Sequence, residues 1–201
     1  MTLCRWLVLA ATLSLPATAA VADGDIAAGR QKAQVCMACH GPNGVSVLPG
    51  TPSIGGQLDQ YLQWQLVFFR SGRRPNPAMA PLVADLSDAD IRNLGAYFAS
   101  LPYFGTPPAG ASNPDPAGKG KAIVAQHRCA NCHFDNYRGT GATAAVADQR
   151  EDYLVKALRD YRSGARPSTG VAAMNEAAAG LTDDDIAAVS HYLATLPPSQ
   201  Q

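Results

Sequence analysis

Apolar residues recur at helical spacing in several segments of this chain, and no alternating pattern of strand length is present. Segments 57–69 and 151–161 each place apolar side chains near helical spacing, and an alanine-rich run at 25–35 has a counterpart at 120–128. Prolines and glycines break up the stretches between these segments. The pattern predicts a mainly α fold.

Two further helices are marked by capping signals. Ser87 precedes Asp90 by three residues, and Thr182 precedes Asp185 in the same way, which is a capping box with Asp in place of the usual Glu. An acidic residue in the first turn also suits the helix dipole. The prolines expected to end these two helices are Pro102 and Pro197.

The chain contains an internal repeat. Residues 69–75 return at 161–167 with an offset of 92, and residues 86–91 return at 181–186 with an offset of 95. A unit of fewer than 100 residues has therefore been duplicated, with small insertions in the loops.

The repeat and a change in composition together predict the domain boundaries. Residues 102–118 are rich in proline and glycine, which is typical of a linker. We therefore expect one domain at 23–106 and a second at 107–201, which begins with this linker.

Residues 1–22 have the features of a cleaved secretory leader. Arg5 gives a positive start, residues 6–15 form a short apolar run, and residues 20–22 offer a small-residue cleavage site. The run is too short to span a membrane, although an uncleaved N-terminal anchor is the competing interpretation. We expect an exported protein without a membrane span once the leader is removed.

The charge of the chain is balanced, with 16 basic and 16 acidic residues. No basic tract indicates a nucleic-acid partner. Loss of Arg5 with the leader leaves 15 basic and 16 acidic residues, so the net charge of the mature chain is 15 minus 16, or −1. A net charge near zero is compatible with a soluble redox partner.

A Cys-x-x-Cys-His motif occurs twice, which is the attachment site of a c-type haem. Two thiols three positions apart can form thioethers with one edge of the porphyrin, and the following His then supplies the proximal iron ligand. The sequence thus predicts two covalently bound haem c groups and electron transfer. The motif residues are Cys36, Cys39 and His40 in the first copy and Cys129, Cys132 and His133 in the second.

Two other uses of Cys-x-x-Cys fit the sequence less well. A zinc ribbon places its two cysteine pairs about 15 to 20 residues apart, whereas these pairs are 93 residues apart. A thiol-disulfide redox motif belongs to a βαβ context, which the helical pattern does not provide.

The second axial ligand of each iron is predicted to be a methionine. Met79 and Met174 follow the proximal histidines by 39 and 41 residues, and each precedes the last helix of its copy. Met37 lies between two anchoring cysteines and cannot reach the far face of the haem. His127 and His191 leave bis-His ligation of the second haem as an alternative.

Arginines cluster on the loops that approach these methionines. A guanidinium in such a loop could pair with a haem propionate by a charge-assisted bond. The alternative, favoured equally by the sequence, is that these arginines are solvated charges on the loop surface. The arginines concerned are Arg70, Arg73, Arg74, Arg162 and Arg166.

The mature chain resembles the dihaem class I c-type cytochromes, most closely the cytochrome c4 family. The resemblance rests on residues 36–41, 52–57, 79–81 and 86–91. It implies two small helical bundles around one haem each, with His and Met ligands, in a periplasmic protein that carries single electrons and is not an enzyme. It also implies that the Pro52 carbonyl receives the N–H of His40.

The second copy departs from that pattern. Phe134 replaces Gly41, no proline occurs in 142–148, and residues 174–176 differ from 79–81. We therefore predict that the two haems differ in midpoint potential.

The implied partners are redox proteins. A quinol-oxidising complex or a dehydrogenase would donate electrons, and an acceptor such as a terminal oxidase would receive them, with a possible peripheral association with a membrane complex. The alternatives are a cytochrome subunit of a periplasmic dehydrogenase and a dihaem peroxidase, which needs an iron with an open or displaceable ligand position.

Overall fold

The computed structural model describes residues 23–103, 114–168 and 173–197. The predicted leader and residues 104–113 of the predicted linker lie outside these ranges. The described residues form α-helices and no strands apart from one isolated bridge between Thr140 and Thr143, so the predicted mainly α fold is confirmed. None of these helices is long and apolar enough to cross a membrane. The helices are α1 Ile26–Lys32, α2 Gln34–His40, α3 Asp59–Arg70, α4 Ala80–Val83, α5 Asp88–Ser100, α6 Pro114–Gln126, α7 Ala130–His133, α8 Glu151–Ser163, α9 Met174–Ala179 and α10 Asp183–Thr195.

The first unit is built from α1, α3 and α5, which pack around an apolar cluster. Leu62 of α3 meets Leu94 and Phe98 of α5 in this cluster. Helices α1 and α5 approach so closely at Gly29 that a Cβ atom there would lie 2.0 Å from the Asn93 carbonyl oxygen. Only glycine fits at this crossing.

The second unit repeats this arrangement with α6, α8 and α10. Leu154 of α8 packs with Ile186 and Val189 of α10 in its core. Gly120 takes the part of the crossing glycine, because a Cβ atom there would lie 2.1 Å from the Ala188 carbonyl oxygen. The internal repeat in the sequence therefore corresponds to a repeated three-helix packing.

Both predicted capping boxes are present. The Ser87 hydroxyl accepts the Asp90 N–H and the Asp90 carboxylate accepts the Ser87 N–H, and Thr182 and Asp185 make the same pair of bonds. Helix α5 ends at Ser100 and α10 at Thr195, close to the predicted prolines.

The predicted helix at 25–35 is two helices. Helix α1 ends at Lys32, Ala33 joins it to α2, and α2 continues through the first Cys-x-x-Cys-His motif. Ala33 is completely buried, and its N–H bonds to the Gly29 carbonyl. The break at Ala33 makes the motif residues part of a separate helix, α2.

Candidate haem sites

The proximal histidines lie at the ends of α2 and α7 and are oriented in the same way. His40 Nδ1 is 2.9 Å from the Pro52 carbonyl oxygen, and His133 Nδ1 is 2.8 Å from the Ala144 carbonyl oxygen. Because a carbonyl oxygen can only accept, each Nδ1 must carry the proton, and each Nε2 then offers its lone pair. This is the tautomer that an imidazole needs to bind iron through Nε2.

Burial also favours the neutral imidazole. Desolvation lowers the pKa of His40 and outweighs its bond to Pro52, and the charge of Arg74 lowers that pKa a little further. Desolvation likewise lowers the pKa of His133 against the bond to Ala144. Both histidines are therefore held ready to act as metal ligands near neutral pH.

The four motif cysteines are free thiols with the same pattern in each copy. Cys36 and Cys129 are half-buried, while Cys39 and Cys132 are exposed. Their i, i+3 spacing places the two sulfurs of a motif on one side of the helical turn. Desolvation raises the pKa of Cys36 and of Cys129. This donor set fits a haem c held by two thioethers and one imidazole.

The predicted methionine ligands lie at corresponding places in the two units. Met79 is the N-cap residue of α4, and its N–H donates to Asn76 Oδ1 at 3.0 Å. Met174 is the first residue of α9, and both methionines are half-buried. Their assignment as axial ligands stays a prediction.

The two remaining histidines differ in their surroundings. His191 in α10 is 8% exposed, and its Nδ1 lies 3.0 Å from Glu151 Oε2. His127 is half-buried after the last turn of α6, two residues before Cys129. His191 is thus a buried polar residue with a carboxylate partner.

Four of the five loop arginines form two groups, and the fifth, Arg73, is exposed. Arg70 donates to the Leu86 carbonyl and to Asp88, both at 2.6 Å, and lowers the pKa of that carboxyl. Arg162 makes the equivalent bonds to Leu181 and Asp183. These two guanidiniums tie the end of one helix to the start of another.

Arg74 and Arg166 instead converge where the two units meet. Arg74 donates to Gln65 Oε1 at 2.7 Å and to the Tyr153 hydroxyl at 3.2 Å. Arg166 donates to Gln65 Oε1 at 2.9 Å, to Tyr61 at 3.1 Å and to Tyr153 at 3.3 Å. Three of these bonds join the first unit to the second: Arg74 with Tyr153, Arg166 with Gln65 and Arg166 with Tyr61. The other two lie within one unit.

This cluster carries a local excess of positive charge. Burial raises the pKa of Tyr153, but Arg74 and Arg166 outweigh it and lower the value to about 8. Arg166 is only 6% exposed, and neither guanidinium forms an ion pair with a carboxylate of the described ranges. Because a buried cation needs a compensating anion, this cluster suits a propionate.

The sequence pattern did not single out Ala144 as the residue that binds His133. Its contribution is a backbone carbonyl, so its side chain carries no signal. The repeat does carry one, because Ala144 follows Pro52 by 92 residues, the same offset that relates Arg70 to Arg162.

Phe134 occupies a backbone conformation that normally requires glycine. It follows His133 with φ 65° and ψ 165°, and its counterpart Gly41 has φ 79° and ψ 163°. A Cβ atom at Gly41 would lie 1.8 Å from the Val45 carbonyl oxygen. A non-glycine residue in this region costs about 1–3 kcal/mol.

We expect Phe134→Gly to raise the free energy of unfolding of the second unit by about 1 kcal/mol, because relief of strain exceeds the entropy that glycine loses. The phenyl ring is 51% exposed, so little packing is lost. Chemical denaturation of the purified protein measures the change. Phe134→Ala is the control, since it removes the ring and keeps the Cβ atom, and a glycine variant less stable than the alanine variant contradicts the expectation.

Both halves of the chain match cytochrome families. Residues 117–197 match the family described as cytochrome c, and residues 25–98 match cytochrome c oxidase, cbb3-type, subunit III. Two similar proteins are cytochrome c4 of Azotobacter vinelandii and a thiosulfate dehydrogenase electron acceptor of Thiomonas intermedia. The first is 36% identical over 86% of this chain and 89% of its own length. The second is 30% identical over 86% of this chain and 83% of its own length.

Solved structures show the same likeness. Reduced recombinant cytochrome c4 from Pseudomonas stutzeri superposes with a TM-score of 0.78 at 30% identity, covering 87% of this chain and 100% of that one. Thiosulfate dehydrogenase from Marichromatium purpuratum gives a TM-score of 0.74 at 27% identity, with 86% of this chain matching 40% of that one.

Proposed function

The chain belongs to the cytochrome c4 family, as a dihaem electron carrier and not an enzyme, and we propose that it works in the periplasm within a respiratory chain. The observation that carries the haem-binding part of the proposal is the pair of proximal histidines, the buried His40 and the half-buried His133, each fixed by a carbonyl in the tautomer that binds iron. A bound haem supplies an iron that gains and loses one electron.

We assign the haem-holding roles to residues of the two motifs and the two loops. Cys36 and Cys39 would hold one haem by thioethers and Cys129 and Cys132 the other. The axial pairs would be His40 with Met79 and His133 with Met174. Arg74 and Arg166 would neutralise propionates between the units.

Replacement of each methionine tests the ligand assignment. We expect Met79→Ala and Met174→Ala each to abolish the methionine-to-iron charge-transfer absorption of one haem and to lower the midpoint potential of that haem, since a thioether favours ferrous iron. Optical and magnetic-resonance spectra during a redox titration measure both effects.

Controls separate methionine from histidine ligation. Met37→Ala should leave the axial ligation of both haems unchanged, because Met37 lies between two anchoring cysteines and cannot reach the far face of the haem. An unaltered second haem in Met174→Ala, together with an altered one in His191→Ala, would establish bis-His ligation instead.

The periplasmic location rests on the predicted leader 1–22. Fractionation of cells that mature c-type cytochromes should recover a coloured protein in the periplasm, with a mass that corresponds to the chain without its leader and with two haems. A full-length chain in the membrane fraction would support the uncleaved anchor.

The principal alternative is the electron acceptor of a periplasmic dehydrogenase. It is favoured by the relatives described as thiosulfate dehydrogenase electron acceptors and by the partial match to a thiosulfate dehydrogenase structure. Rapid reduction by a purified thiosulfate dehydrogenase, or co-purification of a larger subunit, supports this alternative. Rapid reduction by a quinol-oxidising complex, or oxidation by a terminal oxidase, supports the respiratory carrier.

A further inference from the structure

We propose that each unit positions the proximal histidine of the other unit through a buried glutamine, so that Gln57 and Gln149 set the redox potential of the opposite haem. The inference rests on the proposed function, because it takes His40 and His133 as the iron ligands. Its physical basis is a reciprocal set of hydrogen bonds between the units.

Gln149 of the second unit forms two hydrogen bonds with the loop that holds His40. Its side-chain nitrogen donates to the Ser53 carbonyl at 2.7 Å, and its oxygen accepts the Ser53 N–H at 2.9 Å. Ser53 directly follows Pro52, whose carbonyl accepts the His40 N–H. Gln149 is 5% exposed, so the pair of bonds is shielded from water.

Gln57 of the first unit does the same for His133. Its side-chain nitrogen donates to the Ala145 carbonyl and its oxygen accepts the Ala145 N–H, both at 2.9 Å. Ala145 directly follows Ala144, whose carbonyl accepts the His133 N–H. Gln57 is 4% exposed. The two glutamines stand 92 residues apart, at equivalent positions of the repeat.

Each glutamine is itself fixed at the start of a helix. Gln57 Oε1 also accepts the N–H of Leu58, the N-cap residue of α3, and Gln149 Oε1 accepts the N–H of Arg150, the N-cap residue of α8, both at 3.0 Å. Each glutamine side chain is bonded both to the N-cap residue of a helix in its own unit and to a loop of the other unit. A shift of that helix therefore displaces the loop. The glutamine pair therefore couples α8 to His40 and α3 to His133.

Further contacts make the two loops unequal. The first loop is also held by Arg150 Nη1, which donates to the Ser46 carbonyl at 2.9 Å, and by Asp152, which accepts the Gly50 N–H at 2.8 Å. The residues at the positions equivalent to Arg150 and Asp152 are Leu58 and Gln60, which lack this charged pair.

The second loop has its own additional contact. The Tyr103 hydroxyl donates to the Ala147 carbonyl, and the Arg138 guanidinium lies 3.5 Å from the centre of the Tyr103 ring. Because the additional partners differ, loss of one glutamine need not disturb the two histidines equally.

The carbonyl bonded to a ligating histidine controls the orientation and basicity of the imidazole, and through them the potential of the iron. Removal of a glutamine leaves a buried N–H and a buried carbonyl unpaired in the neighbouring loop. The loop must then shift or admit water, and the histidine bond next to it changes.

The proposal predicts effects that cross between the units. In Gln149→Leu, amide exchange at Ser53 should quicken about tenfold, and the midpoint potential of the haem at His40 should shift more than that of the haem at His133. In Gln57→Leu, exchange should quicken at Ala145 and the larger shift should move to the haem at His133. NMR-monitored redox titration assigns each shift, since the resonances of each haem can be connected to residues of its own unit.

Gln63→Leu is the matched control. Gln63 lies in α3 of the first unit and donates to Asp59 of the same helix at 2.8 Å, so its loss should leave both potentials and the exchange at Ser53 and Ala145 unchanged. Gln149→Met provides a second variant in case the leucine variant does not fold, because methionine is unbranched and similar in length to glutamine. It removes both bonds to Ser53 without adding a charge, so a shift of the same haem is expected.

Shifts confined to the haem of the mutated unit, equal shifts of both haems, or unchanged potentials despite faster exchange would each overturn the proposal. Failure of the proposed function looks different. In that case the wild-type protein lacks two haems, or His40 and His133 are not iron ligands in its magnetic-resonance spectra.

Discussion

A chain with both Cys36 and Cys39 replaced by alanine is expected to mature with one haem instead of two. Without thioethers, the first site keeps only the imidazole of His40 and the predicted Met79 to hold its haem, and these bonds are reversible. Mass spectrometry of the denatured protein counts covalent haems directly. The mass of the variant should fall by one haem beyond the change due to the two side chains.

The same variant should lose the native packing of its first unit. Cys36 and Met37 pack against the apolar cluster around Leu62, so the haem would complete this side of the core. Replacement of a buried Phe or Trp by Ala lowers the free energy of unfolding by about 3–5 kcal/mol. The haem is larger than any side chain, so its loss should lower the free energy of unfolding by more than this. Thermal unfolding followed by circular dichroism should therefore show an early transition that the wild-type protein lacks.

The matching variant with Cys129 and Cys132 replaced by alanine should lose the other haem and destabilise the second unit. Met37→Ala serves as the control for the haem count only, because it changes the first motif without removing a thiol, while Met37 itself packs against the core. If either double variant retains two covalent haems, the assignment of its cysteines as the attachment site is wrong.

The sequence predicted those features that repeat locally along the chain. Helical periodicity located α3 and α8 to within a few residues, and the capping boxes marked the starts of α5 and α10. These signals are readable because the residues that make each contact are neighbours in sequence. The break at Ala33 was not predicted, because a buried alanine suits a continuous helix as well as a junction.

Contacts across the repeat were beyond the sequence pattern. Arg70 and Arg74 lie on one short stretch, yet Arg70 reaches the start of α5 while Arg74 reaches Tyr153 of the other unit. The turn between them contains Gly72 with φ 72°, which reverses the direction of the chain after α3. Such a turn decides which neighbour each guanidinium meets, and composition alone does not reveal it.

The reciprocal glutamines illustrate the same limit. Gln57 and Gln149 bond to backbone atoms of Ala145 and Ser53, so their partners offer no complementary side chain that a sequence could show. Only their equal positions in the two copies connect them. The internal repeat therefore links two residues with the same structural function that share no other sequence signal.

Arg166→Leu is expected to lower the free energy of unfolding by about 3 kcal/mol and to uncouple the two units. Arg166 is 6% exposed and donates from the second unit to Tyr61 and Gln65 of the first, so leucine would leave buried oxygens with fewer partners. Denaturant unfolding monitored by tryptophan fluorescence and by haem absorbance should give separate transitions where the wild-type protein gives coincident ones.

The control for this loss of charge is Arg159→Leu in α8, which belongs to the same unit as Arg166. The Arg159 side chain is 51% exposed, and among the described residues it forms one ion pair, with Asp183 at 3.6 Å. A surface pair of this kind contributes little to stability, so both transitions should remain coincident. Equal losses in the two variants would mean that the buried cluster contributes no more than a surface ion pair, and it would then have no special part in joining the units.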